Sequence, residues 1–226
     1  MDPGALLPPI VLTLALASCV TVILLLIATP LAYWLARGRG GGREVVGALV
    51  TMPLVLPPTV LGFYLLLALG PHGPGGALAG LWGARTLAFS FAGLVIGAVI
   101  ASLPFMVQPL RNAFAAIERE VLEVADTLGA SRWQRFFRVV LPLARPGYVV
   151  GGIMSFAHTM GEFGVVLMIG GNVPGETRVL SIAIYDFVER LEWEKAHALA
   201  AGMVAFGFLV IFLTLMVNRR GSGPLG

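Results

Sequence analysis

The sequence predicts an all-α polytopic membrane protein of about five transmembrane helices, and three observations predict it. Hydrophobic residues form 58% of the chain and charged residues 12%, about half the ~25% charged fraction of a soluble domain, so a soluble fold could not hide the apolar surface. The 226 residues hold about five apolar runs of ~20 residues, the length that crosses a bilayer as a helix. Eleven of the fifteen basic residues fall in alternate connections between those runs, the segregation that orients a multi-pass protein.

The first span is placed near residues 10–36. The start, Met1-Asp2-Pro3-Gly4, has no basic segment, and the apolar run is too long for a signal peptide, so an uncleaved first helix is expected. Cys19, the only cysteine, lies in it and permits no intrachain disulfide. Arg37, Arg39 and Arg43 follow. The second span, near 45–69, carries Pro53, Pro57 and Pro58, and the third, near 87–107, is associated with Pro104 and Pro109. Each proline removes a backbone donor, so these helices should be kinked or broken and sit inside a bundle or against a cavity. Two readings stay open for them: a pore-lining pair, with Pro57 and Pro58 on the path, or kinks needed only for packing.

Residues 111–147 form one substantial polar loop with six arginines, the fourth span lies near 148–169, and the fifth, near 198–217, is followed by Arg219 and Arg220. The opposite side carries Arg85, Arg178, Arg190 and Lys195. The positive-inside rule therefore puts the loop and the C-terminus in the cytoplasm and the N-terminus outside. No half-chain repeat is visible, and 1–226 reads as a single membrane domain.

Within the loop, Arg119 and Glu123 stand at i,i+4 on an expected helix with Ala125 and Leu128 available for packing, and Gly129 can end that helix in a left-handed cap. Ser131 and Gln134 have the spacing of a capping box that starts the next one. Trp133, Phe136, Phe137 and Val140 then recur at i, i+3, i+4, i+7, with Arg132, Arg135 and Arg138 largely on the other side. That amphipathic helix suits either the membrane interface or a groove on a partner protein, and amphipathicity alone does not choose.

The fourth span holds His158 and Glu162 one turn apart. A carboxylate at membrane depth should face a partner, a cavity or water, so the pair is a candidate for a helix contact, a dimer interface, a gate support or, less directly, a substrate contact. Gly161 and Gly164 on the same stretch permit close helix approach.

Two motif sets carry a family resemblance. Glu123-Val124-Ala125, Gly129 and Val139-Val140-Leu141-Pro142 match the intervals of the cytoplasmic signature loop of ABC-transporter permeases, with Val124 and Val139 replacing an Ala and an Ile. Gly161-Glu162-Phe163-Gly164, then Gly171-Asn172-Val173-Pro174-Gly175-Glu176-Thr177, then Ile182-Ala183-Ile184-Tyr185 resemble the molybdate permeases of that group; Ser181 stands where those often have Pro. Sulfate permeases share Gly-Glu-Phe-Gly and much of the loop.

The resemblance implies the type I importer (MetI-like) architecture, with import of molybdate, and also tungstate, by alternating access. It implies a coupling loop in which Glu123, Ala125, Gly129, Leu141 and Pro142 shape the fold and Ala130, Ser131, Arg132, Trp133, Gln134 and Arg135 touch an ATPase. It implies as partners a second copy of the chain, two ABC ATPase subunits and an extracytoplasmic oxyanion-binding protein, in a prokaryotic inner membrane. His158, Gly161, Glu162 and Gly164 are the expected pore, gate or dimer-interface positions. Sulfate or thiosulfate import by a pair of related permeases is the rival within the class; a proton-coupled secondary transporter using His158 and Glu162 is the rival outside it.

Several classes are disfavoured. Lys195, the only lysine, follows Glu194, so there is no Gly-Lys-Ser/Thr phosphate loop; ATP and Mg belong on a partner ATPase and no cofactor or catalytic residue is expected in this chain. His72, His158 and His197 have no metal-ligand spacing. Orientation accounts for the arginines without nucleic acid. The outer segment from Asn172 to Lys195 has more acids than bases, so it would not itself steer a dianion, and a binding protein that shields the charge is expected to deliver it.

Overall fold

The structure is a computed structural model that describes residues 3–38 and 40–221. Helix α1 (Pro3–Arg37) is followed by α2 (Gly42–Thr51), a 3-10 turn Met52–Leu54 and α3 (Pro58–Leu69). Short α4 (Pro74–Ala79) leads to α5 (Phe91–Ala116), then to the loop helices α6 (Arg119–Thr127), α7 (Arg132–Arg135) and α8 (Leu141–Leu143). Helices α9 (Arg145–Gly161), α10 (Gly164–Gly170), α11 (Leu180–Glu189) and α12 (Trp193–Gly221) complete the chain.

The core is a bundle of α1, α5 and α9. Leu16, Val20, Leu24, Ala28 and Ala32 recur every four residues along α1 and are fully buried, the narrow row that lies on one side of a helix. Val11, Val22, Leu26 and Ile27 stay exposed on that helix, as lipid-facing residues must. Between α5 and α9 the fit depends on small residues: a side chain at Gly147 would strike the Cβ of Ala113 at 2.5 Å, and one at Gly151 would meet the Met106 sulfur at 2.9 Å.

Helices α3 and α10 form a second, parallel pair. Pro58 lies against Gly164, and Gly62 against Met168 one turn further along each helix. Both helices begin immediately after a break in the chain. At their far ends the backbone amides of Leu87 and Phe89 reach the carbonyls of Leu69 (3.0 Å) and Ile169 (2.8 Å), which ties the two helix ends together.

Among the described residues, three helical stretches are long and apolar enough to cross a membrane alone, Leu6–Arg37, Phe91–Ala116 and Trp193–Phe212. Two bent pairs raise the total to five: Gly42–Leu54 with Pro58–Leu69, bent by 110°, and Arg132–Leu143 with Arg145–Gly161, bent by 66°.

Several expected boundaries move. The third span begins at Phe91 rather than near 87 and runs to Ala116, so Arg111 belongs to α5 and the polar loop begins about one and a half turns later than expected. That helix also continues unbroken through Pro104 and Pro109, because each proline deletes one bond of a ladder whose buried side remains packed. The break expected at Pro57 and Pro58 is present. A further break at Glu162–Phe163, with no proline to announce it, divides the fourth span into α9 and α10. The fifth begins at Trp193. Arg39 and the side chains of Arg219 and Arg220, used for orientation, lie outside the described residues.

Candidate coupling loop and membrane polar cluster

The loop is built by local rules. Gly129 takes φ +78, and the amides of Gly129 and Ala130 return to the carbonyls of Asp126 (3.0 Å) and Ala125 (3.1 Å), closing the end of α6. Ser131 then starts α7. Its hydroxyl accepts from the Gln134 amide at 3.3 Å while the Gln134 side chain accepts from the Ser131 amide at 2.9 Å.

The ion pair that closes the loop is Asp126 with Arg135, across the Gly129 turn. Arg119 and Glu123 make no ion pair among the described residues, although both line the same polar cleft between the ends of α1 and α5 and the loop. The expected aromatic face splits. A π turn at Phe136–Val140 shifts the register, so Phe136 packs edge-on against Tyr33 (5.7 Å) and Val140 is buried, while Trp133 and Phe137 stack on each other at 5.9 Å and stay exposed. With Val124 and Leu128 they form the apolar part of the loop's outer surface. Leu141 and Pro142 start α8, which leads through Ala144 into α9. At the base, the Arg37 guanidinium donates to the carbonyls of Phe114 (2.7 Å) and Ile117, tying the end of α1 to the end of α5.

About 18 Å along α5 from Phe114, a second cluster lies inside the bundle. Ser102 Oγ is 3.0 Å from His158 Nδ1 and 2.9 Å from Thr159 Oγ1, and Thr159 donates to the Ser155 carbonyl at 2.8 Å. Phe105 stacks on the His158 ring with centroids 4.0 Å apart. His158 Nε2 stands 3.6 Å from Glu162 Oε2, the i,i+4 pairing the sequence suggested. The other carboxylate oxygen accepts from the Val165 amide at 2.9 Å, at the first turn of α10. A buried carboxylate is thus set against the N-terminal end of a half-helix, whose amide offsets its removal from water.

Ser181 Oγ donates to the Glu162 carbonyl at 2.7 Å, so the broken end of α9 is held by α11. Gly164 has the close contact expected of it, at Pro58, but a methyl added at Gly161 would meet no atom of another element within 4 Å among the described residues. Ser102, Phe105 and Thr159 were not singled out by sequence, and Ser181 was noted only where the molybdate permeases often have Pro. Ser102 is 56 residues from His158, and only a lone Ser between apolar residues of a span could have drawn notice.

On the segment from Asn172 to Arg190, Asp186 is buried and receives Asn172 Nδ2 at 3.0 Å and Arg190 Nη2 at 3.1 Å, and Arg178 Nε donates to Asn172 at 2.5 Å. Thr13 Oγ1 on α1 accepts from the Leu180 amide at 2.7 Å. These contacts brace the turn before α11 against the bundle.

Comparison with known proteins gives three findings. Residues 28–221 match the family model described as binding-protein-dependent transport system inner membrane component. The molybdenum transport system permease protein of Azotobacter vinelandii is 58% identical over 212 residues, 94% of either chain; the sulfate transport system permease protein of Escherichia coli K12 is 32% identical over 200 residues, 87% of this chain and 71% of that one. Among solved structures, the inward-facing MetNI methionine ABC transporter superposes with a TM-score of 0.73 at 19% identity, over 97% of this chain and 98% of that one.

Proposed function

The chain belongs to the family of binding-protein-dependent transport system inner membrane components, and on that premise we propose that it is the membrane permease of an ATP-driven importer carrying molybdate into the cell. The observation that carries the substrate is the 58% identity to a molybdenum permease along nearly the whole of both chains; the sulfate permease stands much further off. The fold is the MetI-type importer fold, in an inner membrane.

The finer reading is a homodimeric pore, which also accepts tungstate, between one extracytoplasmic binding protein and two ATPases. The loop and the C-terminus lie in the cytoplasm and the N-terminus outside, and 1–226 acts as one domain. Five spans per chain enclose a path only when two copies face each other. The ATP and Mg sit on the ATPases, and this chain holds no cofactor.

In this mechanism the ATPase grips the loop at Ala130 to Arg135, with Trp133 as its exposed aromatic anchor. Closure of the two ATPases draws the loops together. Because Asp126 is paired with Arg135, α7 carries α6 with it, and because α8 runs directly into α9, it also turns α9. The far end of α9 is the His158–Glu162 pair and the break into α10, so rotation of α9 is delivered to the α3–α10 pair through the Glu162 cap and the Pro58–Gly164 contact. The pore then opens toward the docked binding protein, and hydrolysis resets it. Leu141 and Pro142 set the angle of entry into α9, and Pro57 and Pro58 set the start of α3.

The reading is tested by purifying the chain after co-expression with its partner ATPase. Two copies of each in one complex, with ATP hydrolysis raised by molybdate-loaded binding protein, is the expected result; a monomer, or hydrolysis indifferent to loaded binding protein, would refute it.

A further inference from the structure

A groove of about 450 Å³ runs between α5 and α9 on the loop side of the His158 cluster. Pro146, Val150 and Met154, four residues apart, form its α9 wall, and Phe105, Gln108 and Asn112 lie along its α5 wall. At 100° per residue the α5 wall stands opposite the Val107, Leu110 and Phe114 stripe, which is buried and packs toward α1, Phe114 meeting Tyr33 edge-on at 5.4 Å. The groove therefore opens away from the lipid-facing helix.

Its hydrogen-bonding side chains are two amides one helical turn apart. Gln108 donates one N–H to Thr51 Oγ1 at 3.2 Å and has a second N–H to give; the Asn112 amide is exposed and has no partner among the described residues. No charged side chain lines the groove among the described residues. An uncharged amide polarises toward an anion without holding it as a guanidinium would, which suits a site that must be left as readily as it is entered. Phe105, stacked on His158, stands between the groove and the Ser102 cluster.

We infer that Gln108 and Asn112 form a transient hydrogen-bonding station for a tetrahedral oxyanion in the α5–α9 groove. The station rests on the molybdate-importer reading. Each copy of the chain contributes one amide pair to the shared path, and the oxyanion passes it after clearing the Phe105–His158 stack and before release to the cytoplasm.

The test uses the full complex in proteoliposomes and reads molybdate taken up per ATP hydrolysed. Asn112→Asp and Gln108→Glu, which place in the groove a carboxylate that carries charge and no N–H donor, are expected to lower that ratio about tenfold, and Asn112→Gln, which keeps an uncharged amide with both donors, to hold it within about twofold. Asn112→Cys in a Cys19→Ser background is then treated with an anionic methanethiosulfonate. Modification from water that molybdate slows supports the station. Modification only by a membrane-permeant maleimide would show a lipid-filled groove, and spontaneous cross-linking between copies would show a packed interface; either overturns it. An unchanged ratio in Asn112→Asp also overturns it, whereas a wild-type complex that takes up no molybdate strikes the importer reading itself.

Discussion

Glu162 accepts the backbone amide of Val165 at 2.9 Å, so the carboxylate that the sequence marks as costly at membrane depth caps the half-helix that follows it. This relationship explains how α9 can end and α10 begin inside the bundle without proline. The carbonyl of Glu162 is taken by Ser181, the Val165 amide by one Glu162 carboxylate oxygen, and His158 stands beside the other.

Replacing Glu162 separates the cap from the charge. Glu162→Gln keeps an acceptor for Val165, whereas Glu162→Ala removes it and should cost about 0.5–2 kcal/mol, the range of a lost helix cap. Thermal unfolding of the detergent-purified protein should rank wild type and Gln above Ala; an Ala variant as stable as wild type would remove the cap from the argument.

The two flanking glycines should respond differently. A methyl at Gly164 would lie 2.6 Å from the Pro58 Cβ, while one at Gly161 would meet no other element within 4 Å among the described residues. Gly164→Ala is expected to destabilise by about 1–3 kcal/mol, the usual range for overpacking. Gly161→Ala should be neutral in the isolated chain, and a loss confined to the assembled complex would place Gly161 at the contact between copies.

The Asp126–Arg135 pair is partly exposed, so its contribution to stability should be only about 0.2–1 kcal/mol. Its mechanical role predicts a larger effect on coupling. Asp126→Arg alone should hydrolyse ATP with little uptake, and Asp126→Arg combined with Arg135→Asp should recover much of the loss. Failure of the reciprocal exchange to recover any uptake would show that α6 is not driven through this pair.

Gly129 has φ +78, a conformation that a β-branched residue adopts only at a cost of about 2 kcal/mol. Gly129→Val should reopen the turn that brings Asp126 to Arg135 and so uncouple hydrolysis from transport or prevent assembly. Normal coupled uptake in that variant would contradict the role given to the loop.

Features written within a few residues were legible in the sequence: the Ser131–Gln134 box, the Gly129 cap, the break before Pro58, and the His158–Glu162 turn. Their geometry follows from local spacing. What the sequence hid depends on distant contact. Ser102 reaches His158 only because Gly147 and Gly151 let α9 close on α5, and the Arg135 partner is Asp126 rather than a helical neighbour because the turn at Gly129 folds α7 back on α6. The π turn at Phe136–Val140 has no sequence signal, and it alone separates exposed Trp133 and Phe137 from buried Val140. Proline does not mark every break: α5 runs through Pro104 and Pro109 as one helix, while Glu162–Phe163 breaks without one.

The most direct measurement is uptake of molybdate into proteoliposomes containing this chain, its ATPase and its binding protein, with ATP supplied and sulfate in excess. The permease reading predicts ATP-dependent molybdate uptake that sulfate does not suppress. Uptake of sulfate in its place, or molybdate uptake that proceeds without ATP, would contradict it.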